Sequence, residues 1–348
     1  MAPPLSQVDL DLILDKTRDL WSEMRNRRIF ITGGTGFFGG WLVGSFVHVN
    51  RCLGLNARAT ILTRRPAEFA RKCPHLAFDP AITLHTGDVR DFAYPDGDFE
   101  VVIHAATETT SREAPQRPLE LLKTIVQGTE RVLRFAAGHS TSKFLFTSSG
   151  AVYGPQPASM SHIPEDYAGA LDPLDGVTDY ARGKRSAESM CATYAKEYGI
   201  ECKIARCFAL VGPYLPLDAH FAIGNFIRDA MRGGPIEVRG DGTPMRSYMY
   251  AADLAIWLWT ILLKASPSQV FNVGSDQPIS ILELAHAVCD AIGVPATVRV
   301  ANKPRPAAQA QSYVPATTSA QQALGLKCEV SLQDAIRRTV AWHRSQPA

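Results

Sequence analysis

Tyr180 and Lys184 stand four residues apart in "DYARGKRSAESMCATYAKEYG", a spacing that puts both on one face of a helix. An ammonium held near a phenol lowers the phenol pKa from its free value of about 10, so Tyr180 is expected to exchange protons near neutral pH. A serine opposite such a pair would orient the substrate oxygen that gains or loses the proton. "SSGAVYG" (148–154) supplies one, with Ser149 closing a predicted buried strand that contains Phe144-Leu145-Phe146. Further upstream, "RIFITGGTGFFGG" reads as strand, glycine turn and helix start, with Gly33, Gly36 and Gly39 at GxxGxxG spacing. Glycine permits tight turning and close backbone approach. The helix that opens at Phe37 and Phe38 then offers free N–H groups and a positive dipole to a pyrophosphate.

The second predicted strand ends "ILTRRP", with Arg64 and Arg65 and no acid. In NAD sites a carboxylate at this place bonds the adenosine ribose 2′-hydroxyl, whereas a 2′-phosphate calls for a guanidinium. The reading prefers NADP over NAD. The alternative is that these arginines solvate a loop and NAD binds through backbone contacts.

These groups need a scaffold, and the chain alternates short apolar runs with helix-length segments from residue 28 onward. "RIFIT", "ATILT", "AITLHTG", "FEVVIHAA", "KFLFTSS", "ECKIARCF" and "QVFNVG" are the runs. Strands of this kind between amphipathic stretches imply βαβ units around a parallel sheet covered on both faces, a doubly wound Rossmann α/β fold. The helix that carries Tyr180 is expected to start near Thr178 or Asp179. Before the first strand, Leu10, Ile13, Leu14, Leu20, Trp21 and Met24 fall near a 3.6-residue period and predict an amphipathic helix. Docking on the main body is the preferred reading for it, and partner binding the alternative. Pro- and Gly-rich texture after residue 208 marks a smaller α/β lobe. The expected divisions are 1–26, a helical extension; 27–208, the cofactor domain; and 209–348, a lobe interleaved with a last sheet strand at about 269–274.

Composition excludes several function classes. At 348 residues, 46% hydrophobic and 20% charged with formal net charge +2, the chain has no basic excess to argue for nucleic acid or an anionic membrane. "LAIWLWTILL" (254–263) is too short to span a bilayer and reads as a buried helix. Seven cysteines show neither CxxC pairs nor a zinc-spaced cluster, so reduced thiols in a cytoplasmic enzyme without metal are expected. The acidic residues in "MAPPLSQVDLDLILDK" do not suit a signal peptide.

The glycine loop, the strand-end serine and YxxxK, in that order, resemble the extended short-chain dehydrogenase/reductases, specifically the nucleotide-sugar epimerase/dehydratase family. The resemblance runs from about Arg27 to Lys327. It implies a catalytic trio of Ser149, Tyr180 and Lys184, with Lys184 also on the nicotinamide ribose. It implies further cofactor contacts at Asp88 and Val89 in "GDV" and along His104-Ala105-Ala106. It implies a nucleoside diphosphate sugar held by Asn225, by "IEV" with Val238 running past the base, by Arg246 on the diphosphate, and by Arg305 in "KPRPA" as a second phosphate ligand. Thr107 begins one of the two loops, around 107–113 and 209–225, expected to choose the sugar. Helices at about 116–138 and 180–198 are where such relatives dimerise, so a homodimer is expected.

Departures from the family pattern bear on the reaction. Ala308 replaces the usual Asp after the second arginine, Ala209 an Asn in "RCFALVGP", and Ile125 an Asn in "IVQGT"; His220 is a candidate for a displaced contact. Family 4,6-dehydratases carry an Asp-Glu pair directly after the catalytic hydroxyl residue. Gly150 and Ala151 stand there and cannot move a proton, which disfavours dehydration unless Glu108 substitutes. The preferred reading is a 4-epimerase, in which Tyr180 first removes and later returns the proton on the C4 oxygen. A 4-ketoreductase using NADPH is the alternative, and a catalytically inactive cofactor sensor or scaffold is the reading outside the enzymes.

Overall fold

The computed structural model describes residues 1–107, 118–171, 179–219, 221–293, 297–303 and 311–346. Helix α1 (Gln7–Thr17) opens the chain, with Ser6 as its N-cap accepting the Asp9 N–H, and a 3-10 segment (Arg18–Met24) follows. The alternation expected from residue 28 is present. Strands β1 (Arg28–Thr32), β2 (Arg58–Thr63), β3 (Ile82–Thr86), β4 (Val101–His104), β5 (Lys143–Ser149) and β6 (Glu201–Cys207) are separated by helices α2 (Phe37–Leu53), α3 (Pro66–Lys72), α4 (Pro74–Ala77), α5 (Pro118–Gly138) and α6 (Asp179–Tyr198).

The second part of the chain holds β7 (Leu210–Val211), α7 (Ala222–Met231), β8 (Ile236–Val238), β9 (Met245–Arg246), β10 (Met249–Tyr250) and α8 (Ala251–Lys264). Beyond these lie β11 (Val270–Val273), β12 (Ile279–Ser280), α9 (Ile281–Ile292), β13 (Val298–Val300), β14 (Ser312–Tyr313), α10 (Thr318–Leu324) and α11 (Leu332–Arg344). The main sheet runs β11-β6-β5-β4-β1-β2-β3, every pair parallel. The late strand β11 thus joins its edge beside β6. The strand order reverses between β1 and β4, the switch point at which such sheets bind ligands outside the strand C-termini.

Burial explains the pattern. All four residues of β4 and all but the first of β1 are buried, as a sheet covered on both faces requires. Every residue of α8 from Ala251 to Leu263 is buried, so the apolar run 254–263 is an interior helix. Among the described residues no helix is long and apolar enough to cross a membrane. The N-terminal helix is docked on α8: Ile13, Leu14, Trp21 and Met24 are core residues, and the Trp21 ring lies 4.6 Å from that of Trp259. Asp9, 1% exposed, fastens it. Its carboxylate accepts from Tyr250 at 2.8 Å, Arg338 at 2.6 Å and the Ser6 hydroxyl at 2.7 Å.

Candidate active site

The glycine loop leaves β1 at the switch point. Gly33 has φ +73°, and a Cβ on it would stand 2.5 Å from the Ala105 carbonyl carbon and 2.7 Å from Ala106 N. Only glycine lets this turn cross the end of β4 so closely. Gly36 differs, since a Cβ there would meet no protein atom closer than 3.5 Å; protein packing does not demand this glycine. It is the N-cap of α2 and gives that helix no side-chain acceptor, so the first-turn N–H groups at Phe37, Phe38 and Gly39 face a cradle that a side chain would narrow. That combination fits a pyrophosphate.

Around the adenosine end, β2 finishes at Thr63 without an acid. Arg64 stands 3.9 Å from Asp88, and Arg65 pairs with Glu68 at 3.2 Å. Arg90, absent from the sequence reading, grips Asp88 through Nε at 2.8 Å and Nη2 at 3.1 Å. These hydrogen bonds hold the Asp88 carboxyl below its ordinary range. Val89 is buried in the core cluster beneath. His104 points away from any ligand: its ring bonds Thr32 at 2.7 Å and Thr129 at 3.0 Å. Burial lowers its pKa to about 3, so it is a neutral pin between β1, β4 and α5.

The catalytic trio predicted from sequence converges at the C-terminal end of β5. α6 begins at Asp179, and Tyr180, Lys184 and Glu188 repeat every four residues along one face. Lys184, 2% exposed, donates to the Thr147 carbonyl at 2.7 Å and to the Thr107 hydroxyl at 2.8 Å, and lies 4.7 Å from the Phe146 ring. Desolvation lowers it to about 8. Glu188 accepts from Ser148 at 2.5 Å and is held by two nitrogens of Arg206, at 3.0 and 2.7 Å. Ser148 is therefore committed to the scaffold. Ser149 Oγ accepts the Ala151 N–H at 3.2 Å and lies beside the phenol of Tyr180, whose pKa it lowers.

The phenol itself departs from expectation. Burial raises Tyr180 to about 12, and the Ser149 contact only partly offsets this. Lys184 lies 6.0 Å from the centroid of the Tyr180 ring, with its hydrogen bonds directed to Thr107 and Thr147. Desolvation sets the direction here, and Tyr180 is a protonated donor at neutral pH.

A second phenol was missed. Tyr313 on β14 has its hydroxyl beside Ser149 and close enough to Tyr180 to feel its charge, and burial pushes it far upward. Its ring lies 4.6 Å from that of Phe208, tilted by 32°. A Cβ on Gly150 would stand 2.6 Å from both the Tyr313 hydroxyl and Phe208 Cζ. The side-chain space of residue 150 is filled by Tyr313 and Phe208.

The remaining predicted substrate contacts are dispersed. Arg246 lies half-buried on β9, donating to the Met245 and Gln311 carbonyls at 2.8 and 3.1 Å, with Tyr313 as its register partner on β14. Asn225 on α7 donates to the Ala219 carbonyl at 3.0 Å and accepts from Arg228 at 2.9 Å, bracing the loop before it. Val238 is corrected: its side chain is 1% exposed in the core, and its carbonyl accepts the Ala301 N–H at 2.9 Å. Glu237 is the exposed residue of "IEV". Arg305, Ala308, His220, Glu108 and Thr178 lie outside the described residues. A surface cavity of about 250 Å³, lined by Asn50, Arg58 and Asp79 among others, opens at the N-terminal ends of β2 and β3, away from this chemistry.

A doubly wound sheet with a glycine loop at its switch point and a Ser-Tyr-Lys constellation beyond it defines a nucleotide-cofactor enzyme of the short-chain dehydrogenase type. The chain belongs to the NAD dependent epimerase/dehydratase family, whose model matches residues 29–274. Similar proteins include UDP-glucuronic acid decarboxylase 1 of Arabidopsis thaliana, 29% identical over 320 residues, 92% of this chain and 70% of that protein. Its namesake in Xenopus tropicalis is 27% identical over 93% of this chain and 74% of its own length. Among solved structures, the UDP-N-acetylglucosamine 4-epimerase of Methanobrevibacter ruminantium M1 in complex with UDP-N-acetylmuramic acid shares the fold. It has TM-score 0.77 at 21% identity, covering 93% of this chain and all of that one. The dTDP-glucose 4,6-dehydratase of Streptomyces venezuelae with NAD bound gives 0.75 at 23% identity, over 91% and 97%.

Proposed function

We propose that this chain is an NAD(P)-dependent nucleotide-sugar epimerase acting through a 4-keto intermediate. The observation that carries the reading is the convergence of Ser149, Tyr180 and Lys184 beside the pyrophosphate cradle, with no acid or base side chain at 150 or 151. When bound, the nicotinamide supplies the acceptor and donor of a hydride at the sugar. Ser149 orients the C4 oxygen, and Tyr180 takes its proton and returns it. Taking that proton requires Tyr180 as the phenolate; Lys184, cationic below about pH 8, favours that form, which exists before the proton is taken and again once it has been returned. Arg246 suits the diphosphate by its planar fork, and Arg64 and Arg65 support a preference for NADP. The exposed Leu119 of α5 and Tyr198 of α6 suit a homodimer formed through those helices, which sedimentation would test.

A 4-ketoreductase is the second reading, favoured by Tyr180 being a protonated acid at rest. The similarity to UDP-glucuronic acid decarboxylases adds a third product to test, because a ketone at C4 also loosens a C5 carboxylate without help from residues 150 and 151. One experiment separates them. The nucleotide released on denaturation is identified, and the protein is incubated with UDP-glucose, UDP-glucuronic acid and a 4-keto sugar nucleotide while products are followed by NMR. A C4 epimer without net cofactor consumption supports the epimerase. A pentose with carbon dioxide, or stoichiometric NADPH oxidation, would replace it by the decarboxylase or the reductase.

A further inference from the structure

We propose that Tyr313 is a positioning residue of the reaction centre, fixing the Ser149 hydroxyl and tying it to the arginine on the diphosphate side. The inference rests on the reading of Ser149 and Tyr180 as the proton-handling pair. A serine hydroxyl has one proton to give and two lone pairs to fill. One lone pair of Ser149 takes the Ala151 N–H. If the Tyr313 phenol donates to the other, the single Ser149 proton is left to point at Tyr180 or at the substrate oxygen. Burial keeps Tyr313 a phenol through the neutral range, so it is always available as the donor. A chain of three hydroxyls aligned in one direction also polarises each member.

The placement of Tyr313 gives the chain a second end. β14 runs parallel to β9 with Tyr313 opposite Arg246, the Arg246 guanidinium carbon lies 6.0 Å from the Tyr313 ring, and Arg246 also donates to the Gln311 carbonyl, two residues before Tyr313. An anion drawn to Arg246 therefore pulls on the backbone that aims Tyr313. Gly150 is the counterpart on the other lobe, because any larger residue would occupy the place of the Tyr313 hydroxyl.

Tyr313→Phe keeps the ring on Phe208 and removes only the hydroxyl. With UDP-glucose or UDP-glucuronic acid, whichever turns over, kcat is expected to fall roughly 10- to 100-fold with KM altered less than about threefold. The rising limb of the kcat pH profile should move to higher pH, because Ser149 no longer stabilises the Tyr180 phenolate as well. Melting temperature and cofactor affinity should stay at wild-type values. A second measurement needs no substrate. In protein labelled with carbon-13 tyrosine, assigned through Tyr180→Phe and Tyr313→Phe, Ser149→Ala should shift the phenol carbons of both tyrosines. Wild-type kcat and pH limb in Tyr313→Phe beside an inactive Tyr180→Phe, or a Tyr313 resonance indifferent to Ser149→Ala, would overturn the inference. Full turnover in Tyr180→Phe would instead sink the assigned function, leaving the resonance test to judge the Tyr313 contact alone.

Discussion

Gly150→Ala adds one methyl group just after β5, where Phe208 and Tyr313 pack over the chain, and the structure fixes how much it disturbs. The new Cβ would lie 2.6 Å from the Tyr313 hydroxyl oxygen and 2.6 Å from Phe208 Cζ, about 0.8 Å short of the 3.4 Å at which ordinary contact begins. The two rings pack against each other at 4.6 Å, so neither yields alone. Overpacking of this size costs roughly 1–3 kcal/mol, a fall in Tm of a few degrees for a chain this long. The catalytic effect is larger, because displacing reacting groups by about 1 Å lowers rate on the order of 100-fold. Calorimetry and steady-state kinetics on Gly150→Ala read the two separately. A variant that melts and turns over like the wild type would refute the packing of Tyr313 and Phe208 against residue 150, and with it the account of why no acid stands there. Gly150→Asp should be worse still and should create no dehydratase activity, assayed as formation of a 4-keto-6-deoxy sugar from dTDP-glucose.

Other outcomes follow from single contacts. Tyr180→Phe should abolish turnover while leaving cofactor binding, followed by fluorescence titration, unchanged. Replacing Arg64 and Arg65 together by alanine should weaken NADP roughly tenfold and NAD little, since a charge-assisted phosphate contact is lost; calorimetric titration that shows both weakened equally would remove the 2′-phosphate reading. Asp9→Ala leaves the buried Tyr250 hydroxyl and the partly exposed Arg338 without their carboxylate, and should cost about 2–4 kcal/mol in urea unfolding. Asp253 is held by burial at about 6 against an ordinary 3.8, so the folded protein binds this proton more tightly than the unfolded one. Its contribution is full below about pH 4 and is lost as pH rises through 6, by about 3 kcal/mol. Wild-type stability minus that of Asp253→Asn should fall by about 3 kcal/mol over that window when measured by denaturant titration.

Much of the scaffold was legible because its signals are local. The glycine loop follows β1 directly, Tyr180 and Lys184 share one helix, and the apolar run of β11 announces itself as a strand although its partner β6 lies some sixty residues earlier. Val238 was misassigned despite a readable cue: Ile236 and Val238 flank the charged Glu237, and that period of two sends both apolar residues inward. The Tyr180 pKa differs from expectation for another reason, since sequence reveals an ammonium four residues away but not that the fold strips the phenol of water. Tyr313 could not be found at all. "QSYVP" carries no motif, and its meaning depends on β14 lying beside β9 and reaching over a glycine more than 160 residues upstream.

The Asp9 clasp bears on how the protein is made. Asp9 and Arg338 are 329 residues apart, and at about 5–20 residues per second a ribosome needs roughly 15–65 s to span that distance. For most of that interval Ile13, Leu14 and Trp21 lack the α8 surface against which they later pack. Helix α1 is thus seated only after α8 has been made, and until then the nascent chain presents a sticky segment. Slow elongation late in the message should lengthen that exposure and raise dependence on chaperones, while Asp9→Ala should leave the same segment loosely held even after release.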